Sequence, residues 1–169
     1  GAGRRAAGWG VERRAGGPAT AADLDRVATR LAAFYRVQQP SESIADWGRV
    51  AKLRLSTDEN FAQTERFVGV LLTRPAFAAV RFFTDQFYER QADLFERRQR
   101  GGRILDCHGD LRCEHVHFAG EEVNIFVCIE FNERLRFIDV ANDVAFLAMD
   151  LDVLGRPDLG ATFLQRLAE

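Results

Sequence analysis

Residues 104–118 read ILDCHGDLRCEHVHF. These fifteen positions hold all three histidines of the chain, His108, His115 and His117, and two of its three cysteines, Cys107 and Cys113. Asp106, Asp110 and Glu114 stand among them. Two chemistries draw on such residues. Thiolates and imidazoles hold zinc, and carboxylates orient hydroxyls and hold metal-bound phosphates. Structural zinc sites usually offer ligands in two pairs, each roughly two to four residues apart, with a loop between them. Here there is one crowded run, and Cys107 and Cys113 have no strand relation to the alternating pair His115 and His117, which argues against zinc. Cys107 and Cys128 read instead as small buried apolar residues, and Cys113 as a loop thiol. His117 reads as a strand histidine.

HGDL at 108–111 reads differently. A short strand ends, Gly109 permits a tight turn, and Asp110 is presented on it. Phosphoryl transfer requires one carboxylate to orient and deprotonate the attacking hydroxyl and a second to hold a metal on the phosphates. Asp110 supplies the first. Glu130, at the far end of the following hairpin, supplies the second. His115 lies five residues after Asp110, within reach of the same metal.

At these positions a resemblance becomes specific. HGDLRCEH resembles the catalytic loop of the aminoglycoside phosphotransferase-like kinases, whose usual form is H-G-D-L-H-x-x-N. Downstream, CIEFNERLRFIDVANDVAFLAMDLD at 128–152 resembles the next segment of that family, where a strand ends in I-D-W and a D-P-x-x-D-L-A stretch follows. Asp139 and Asp143 with Val144 and Ala145 match that stretch. The narrower likeness is to the phosphotransferases of this kind that are often fused to a P-loop ATP-binding domain. It covers residues 21–169, with two motifs in the right order and at about the right separation.

The resemblance implies an α+β chain with the architecture of a protein kinase-like C-terminal lobe. It implies ATP or GTP as donor, Mg2+ or Mn2+ as metal and a small hydroxylated molecule as acceptor. Carried over by position, Asp110 meets the acceptor hydroxyl, His108 braces the loop, and Glu130 is the metal carboxylate. Asp139 and Asp143 match residues that brace the loop. Arg112 stands where His is frequent, and faces phosphate or pairs with Glu114. His115 stands where Asn is usual. Magnesium prefers oxygen, so His115 implies a contact to phosphate or water, a metal preference moved toward manganese, or weakened activity. The last branch makes the chain a catalytically degenerate, pseudokinase-like nucleotide-binding or regulatory module.

The elements that would position these residues follow from periodicity and punctuation. Thr20 with Asp23 forms a capping-box pattern, and Leu24, Val27, Leu31, Phe34 and Tyr35 recur at helical spacing over 21–38. Residues 41–57 suggest a short helix near Ile44 to Leu55, and STDEN at 56–60 signals another helix start. Pro75 opens a further helix, whose stripe of Val80, Phe83, Phe87, Leu94 and Phe95 runs over about 76–99 to a stop at Gly101 and Gly102. These helices are expected to make a bundle with a phenylalanine-rich core. RILDC is a strand, and residues 115–131 are two strands joined at Ala119 to Glu122. Ile125, Val127 and Ile129 would face one side, and Phe126, Cys128 and Glu130 the other. Helical pattern resumes at Asp139 with Val144, Leu147 and Leu151, and a last helix starts near Asp158 after Pro157.

Composition bounds the rest. The 169 residues suffice for one domain with a core, with 47% hydrophobic and 28% charged residues, as in soluble globular proteins. A formal charge of -2 gives no basic surface for nucleic acid, and no apolar run has the length of a membrane span. An odd cysteine count in a chain this long points to a reducing cytoplasm. Residues 1–19, rich in Gly, Ala and Arg, read as a flexible leader or the remnant of an upstream lobe, and 20–169 as the kinase-like lobe. Lys52, the single lysine, lies in helical surroundings with no Gly-rich loop before it and reads as a surface residue. The phosphate-covering N-lobe is therefore missing, so these residues alone are expected to be a poor kinase or none.

Overall fold

The structure is a computed structural model and describes residues 19–126 and 128–168. Apart from Ala19, the expected leader lies outside the described residues. The chain divides into two units: Pro40–Ile104, and the remainder on either side of it up to Gln39 and from Leu105.

The first of these units is helical. It holds α2 (Glu42–Ala45), a 3-10 turn, α3 (Val50–Glu65), α4 (Arg74–Arg90) and α5 (Ala92–Arg100). The STDEN segment does not start a helix. It lies inside α3, which begins at Val50 after an extended Arg49, because interior Ser, Thr and Asn cost a growing helix only a few tenths of a kcal/mol each. Thr73 caps α4, accepting a hydrogen bond from the Ala76 amide, and Pro75 fills the first turn, where it removes no intrahelical bond. The predicted helix over 76–99 breaks at Gln91, which leaves helical geometry between α4 and α5.

A phenylalanine-rich core does not form here. No side chain of α3, α4 or α5 is fully buried, and Phe82 and Phe83 are 67% and 68% exposed. The rings gather in pairs instead, with Phe61 edge-on to Phe77 at 5.7 Å and Phe87 edge-on to Phe95 at 5.8 Å. Lys52 is a surface residue of α3, 4.5 Å above the Trp47 ring.

The other unit carries α1 (Ala21–Val37), β1 (Ile104–Asp106, whose first residue closes the helical unit), β2 (Val116–Ala119) and β3 (Glu122–Ile125). After these come α6 (Glu133–Arg136), β4 (Phe137–Asp139), α7 (Val140–Val153) and α8 (Pro157–Ala168). The Thr20–Asp23 capping box is present at the start of α1. Leu24, Val27, Ala28 and Leu31 of α1 pack with Leu147 and Leu151 of α7 and Leu159 and Phe163 of α8. The stripe at positions 24, 27, 28 and 31 is the helical spacing that places these side chains on one face.

Two small sheets lie beside this core, β1 with β4 and β2 with β3. β2 and β3 form the expected hairpin, antiparallel from Val116 opposite Ile125 to Ala119 opposite Glu122, and Gly120 takes the positive φ its tight turn needs. The strand ends at Ile125, shorter than its alternating pattern, and Cys128 to Glu130 run on as irregular chain. Val127 lies outside the described residues. Among the described residues, no helix is long and apolar enough to cross a membrane.

Candidate functional site

The 107–115 segment is fixed from below by four buried residues. Cys107, His108, Leu111 and Cys113 are buried, with Leu111 wholly so. Leu111 and Cys113 belong to the core formed by α1, α7 and α8. Burial of a leucine side chain contributes about 1.5–3 kcal/mol, so the apolar residue after Asp110 anchors the loop. Arg112 and Glu114 are exposed between the anchors and pair with each other at 2.9 Å.

Asp143, on the first turn of α7, is completely buried. One oxygen accepts from the His108 amide at 3.1 Å and from the Tyr35 hydroxyl at 2.7 Å. The other accepts from the Gly109 amide at 2.9 Å. A buried carboxylate is tolerable only when its acceptors are filled, and here the loop's own backbone does most of that. Tyr35 is held in its neutral form. Burial pushes its phenol well above the ordinary value, and the nearby Asp143 carboxylate pushes it the same way.

Gly109 is required by this geometry. Its φ is +83°, and a Cβ there would stand 2.6 Å from the Leu135 carbonyl oxygen. Only glycine meets both conditions without strain.

His108 is a brace by its bonding. Its Nδ1 accepts from the Asp110 amide at 3.3 Å, so the proton sits on Nε2, which donates to the Phe126 carbonyl at 2.6 Å. Both ring nitrogens are spent on backbone, and the ring ties the loop to the end of the hairpin. His115 does a similar service from the other side. Its Nδ1 donates to the Asp110 carbonyl at 2.8 Å and stands 3.8 Å from the Asp110 carboxylate. Asp110 is therefore held by its amide and its carbonyl, while its side chain remains 37% exposed. That arrangement can take a proton from a hydroxyl arriving from solvent.

The far end of the loop is held as well. Asp150 accepts from the Cys113 amide at 2.8 Å. Asp143 and Asp150 are seven residues apart, hence on one face of α7 and about 10 Å apart along its axis. One helix thus holds both ends of the loop. Asp139 has a different local task, capping α7 by accepting from the Ala141 amide at 2.8 Å.

Glu130 is placed elsewhere. It lines a cleft of about 580 Å³ together with Arg30, Phe34, His108 and Arg136. Asp110, Arg112 and His115 are not in that lining. Arg136 is fixed there by a two-pronged ion pair with Asp106 and donates to the Glu130 carbonyl at 3.3 Å. No hydrogen bond or ion pair joins Glu130 to His115 or Asp110. Among the described residues, no three His, Cys, Asp or Glu side chains gather to hold an ion.

The residues carried over from sequence thus divide. Asp110, His108 and His115 come together in one bonded loop. Arg112 takes the pairing with Glu114. Glu130 opens onto the neighbouring cleft, and its carboxylate with the one uncommitted nitrogen of His115 makes a poor fit to magnesium, which demands oxygen ligands. Two expectations about thiols are corrected. Cys113 is buried and Cys128 is exposed, because the loop dips into the core at 113 and strand alternation ceases before 128. Tyr35 and Asp150 were not legible as site residues. The one signal for Asp150 is an acid seven positions after Asp143, on the same face of α7.

Comparison with known proteins gives relatives in mycobacteria. Uncharacterized proteins of Mycobacterium bovis and of two Mycobacterium tuberculosis strains, CDC 1551 and H37Rv, are each 34% identical to this chain over 141 residues. The match takes in 83% of this chain and 28% of each relative's length, so the chain corresponds to little more than a quarter of those proteins. No family model matches the chain, and no solved structure matches it.

Proposed function

We propose that the chain is the loop-bearing, kinase-like lobe of a phosphotransferase that moves a phosphoryl group from ATP or GTP to a hydroxyl of a small molecule. The observation that carries this reading is the Asp110 loop. Its backbone is tied down by Asp143, His108 and His115, while the Asp110 carboxylate is left open to solvent. Phosphoryl transfer asks a protein chiefly for positioning and a well-placed base. Asp110 accepts the proton of the acceptor hydroxyl as that oxygen bonds to the terminal phosphorus and the bond to the departing nucleoside diphosphate breaks. His108 and His115 hold Asp110 in place and exchange no proton with substrate. Mg2+ or Mn2+ would shield the phosphates, but Glu130 and His115 are poorly placed to hold it together, so no step is assigned to it.

The test is transfer from labelled ATP, with a panel of hydroxylated acceptors, by a polypeptide extending this chain upstream to an ATP-binding lobe. Asp110→Asn is expected to reduce turnover roughly 10²-fold or more while nucleotide binding persists. Unchanged turnover would remove Asp110 from the chemistry.

One observation favours a second reading, a nucleotide-binding or regulatory module without transfer. Glu130, the carboxylate that the resemblance assigns to the metal, lines a cleft that excludes Asp110. Nucleotide binding with no transfer to any acceptor would select it.

A further inference from the structure

We propose that Tyr35 and Asp150 are positioning residues for Asp110, holding the two ends of its loop against α7. The proposal rests on the phosphotransferase reading and extends it to residues that neither the loop motif nor the stretch of Asp139 and Asp143 includes.

At the first end, Asp143 Oδ2 receives two donors, the Tyr35 hydroxyl at 2.7 Å and the His108 amide at 3.1 Å. Oδ1 receives the Gly109 amide at 2.9 Å. A carboxylate on a two-bond stem can turn, and the backbone amides alone do not fix it, since they belong to the loop being positioned. Tyr35 comes from α1, an element outside the loop, and its ring rests beside Phe34 with centroids 5.5 Å apart. It therefore supplies the external reference that sets the Asp143 side chain. Through Asp143 it sets the peptide planes on both sides of His108.

At the second end, Asp150 accepts from the Cys113 amide. Cys113 is buried in the core, so its amide needs an acceptor there, and Asp150 meets it with a charge-assisted bond. Asp110 sits between the two anchorages, with no direct contact to either carboxylate. Its amide and carbonyl are bonded to His108 and His115, so its position follows the segment from His108 to His115 that the two anchorages hold. If either end slackens, the Asp110 carboxylate moves relative to anything bound above it. A displacement of about 1 Å at a reacting group costs on the order of 10²-fold in rate.

Tyr35→Phe keeps the ring and removes one hydroxyl. In the extended polypeptide that supplies an ATP-binding lobe, it is expected to lower kcat roughly tenfold with KM for ATP changed less than about twofold, the signature of lost transition-state positioning. Asp150→Ala should do the same, and Asp150→Asn, which keeps an acceptor oxygen, should restore part of the loss. In the 169-residue chain itself, amide hydrogen exchange gives a readout independent of activity. Tyr35→Phe should speed exchange at His108 and Gly109, and Asp150→Ala at Cys113, with α8 amides unchanged.

Unchanged exchange at those three amides would overturn the proposal. So would a fall in activity that accompanies loss of protection throughout α1, α7 and α8, since that marks a merely structural role. If the wild-type polypeptide transfers no phosphate at all, the phosphotransferase reading fails. The exchange arm still decides whether Tyr35 and Asp150 hold the loop.

Discussion

Burial sorts the three thiols by reactivity. Cys107 is 4% exposed and donates to the Ile138 carbonyl at 3.5 Å. Desolvation pushes its thiol far above the ordinary value of 9.0, and the Asp143, Asp139 and Asp106 carboxylates add to the shift. The neutral thiol is inert. A thiol reagent at neutral pH is therefore expected to label exposed Cys128 and spare Cys107 and Cys113 in the folded chain, as peptide mass mapping can show; rapid labelling of Cys107 would contradict its placement. The same shift has a sign in stability. A group whose folded pKa is raised stabilises fully below its unfolded pKa and loses that contribution as pH rises beyond it. The urea midpoint should hold between about pH 7 and 8.5, then fall above about pH 9, and Cys107→Ser should flatten that fall. Tyr35, raised above 10.0 in the same direction, deepens the loss at still higher pH.

Among elements, α1 does two kinds of work along one face. Leu24, Val27, Ala28 and Leu31 make the core with α7 and α8. Tyr35, four residues after Leu31 on that same face, packs against the core and reaches Asp143. The helix start sets the register of both. Thr20 and Asp23 exchange hydrogen bonds across the first turn, with the Thr20 amide donating to Asp23 at 2.9 Å and the Asp23 amide donating to the Thr20 hydroxyl at 3.4 Å. Thr20→Ala is expected to lower stability by about 1 kcal/mol by urea denaturation, and an unchanged midpoint would show that the cap contributes nothing. α7 is the complementary element. Its apolar residues bind it to the core, and two acids on one face hold the loop. The acids give α7 little freedom to vary on that side, and Asp143, in the first turn, also suits the helix N-terminus.

For the whole molecule, the uneven burial of the two units predicts uneven stability. The unit with α1, α7 and α8 encloses Leu24, Leu31, Leu147, Leu151 and Phe163. The unit Pro40–Ile104 has no fully buried side chain on α3, α4 or α5. Local opening costs least where few apolar contacts are buried. Native-state exchange is expected to find the slowest amides in α1, α7 and α8 and markedly faster ones in α3 to α5. Equal protection in both would mean that the phenylalanines of α4 are covered in solution.

Those phenylalanines also mark where sequence reading ends. Phe83 and Phe87 have the spacing of a core stripe, and spacing says that side chains share a face but not that anything covers it. Cys128 fails for a related reason: alternation places a residue inward only while the strand lasts, and β3 ends at Ile125. What the sequence determined by itself is local. It set the capping box at Thr20, the first-turn proline of α4, the hairpin turn between Ala119 and Glu122, and the glycine that lets Asp110 be presented. Each rests on interactions within a few residues of chain, which any fold must respect. Tertiary structure alone decided that Tyr35 meets Asp143 across 108 positions, that Asp150 meets Cys113 across 37, and that Glu130 opens onto a cleft without Asp110. Those pairings exist because α1, α7 and α8 bury one another, and helix packing, unlike a cap or a turn, depends on residues that no local pattern connects.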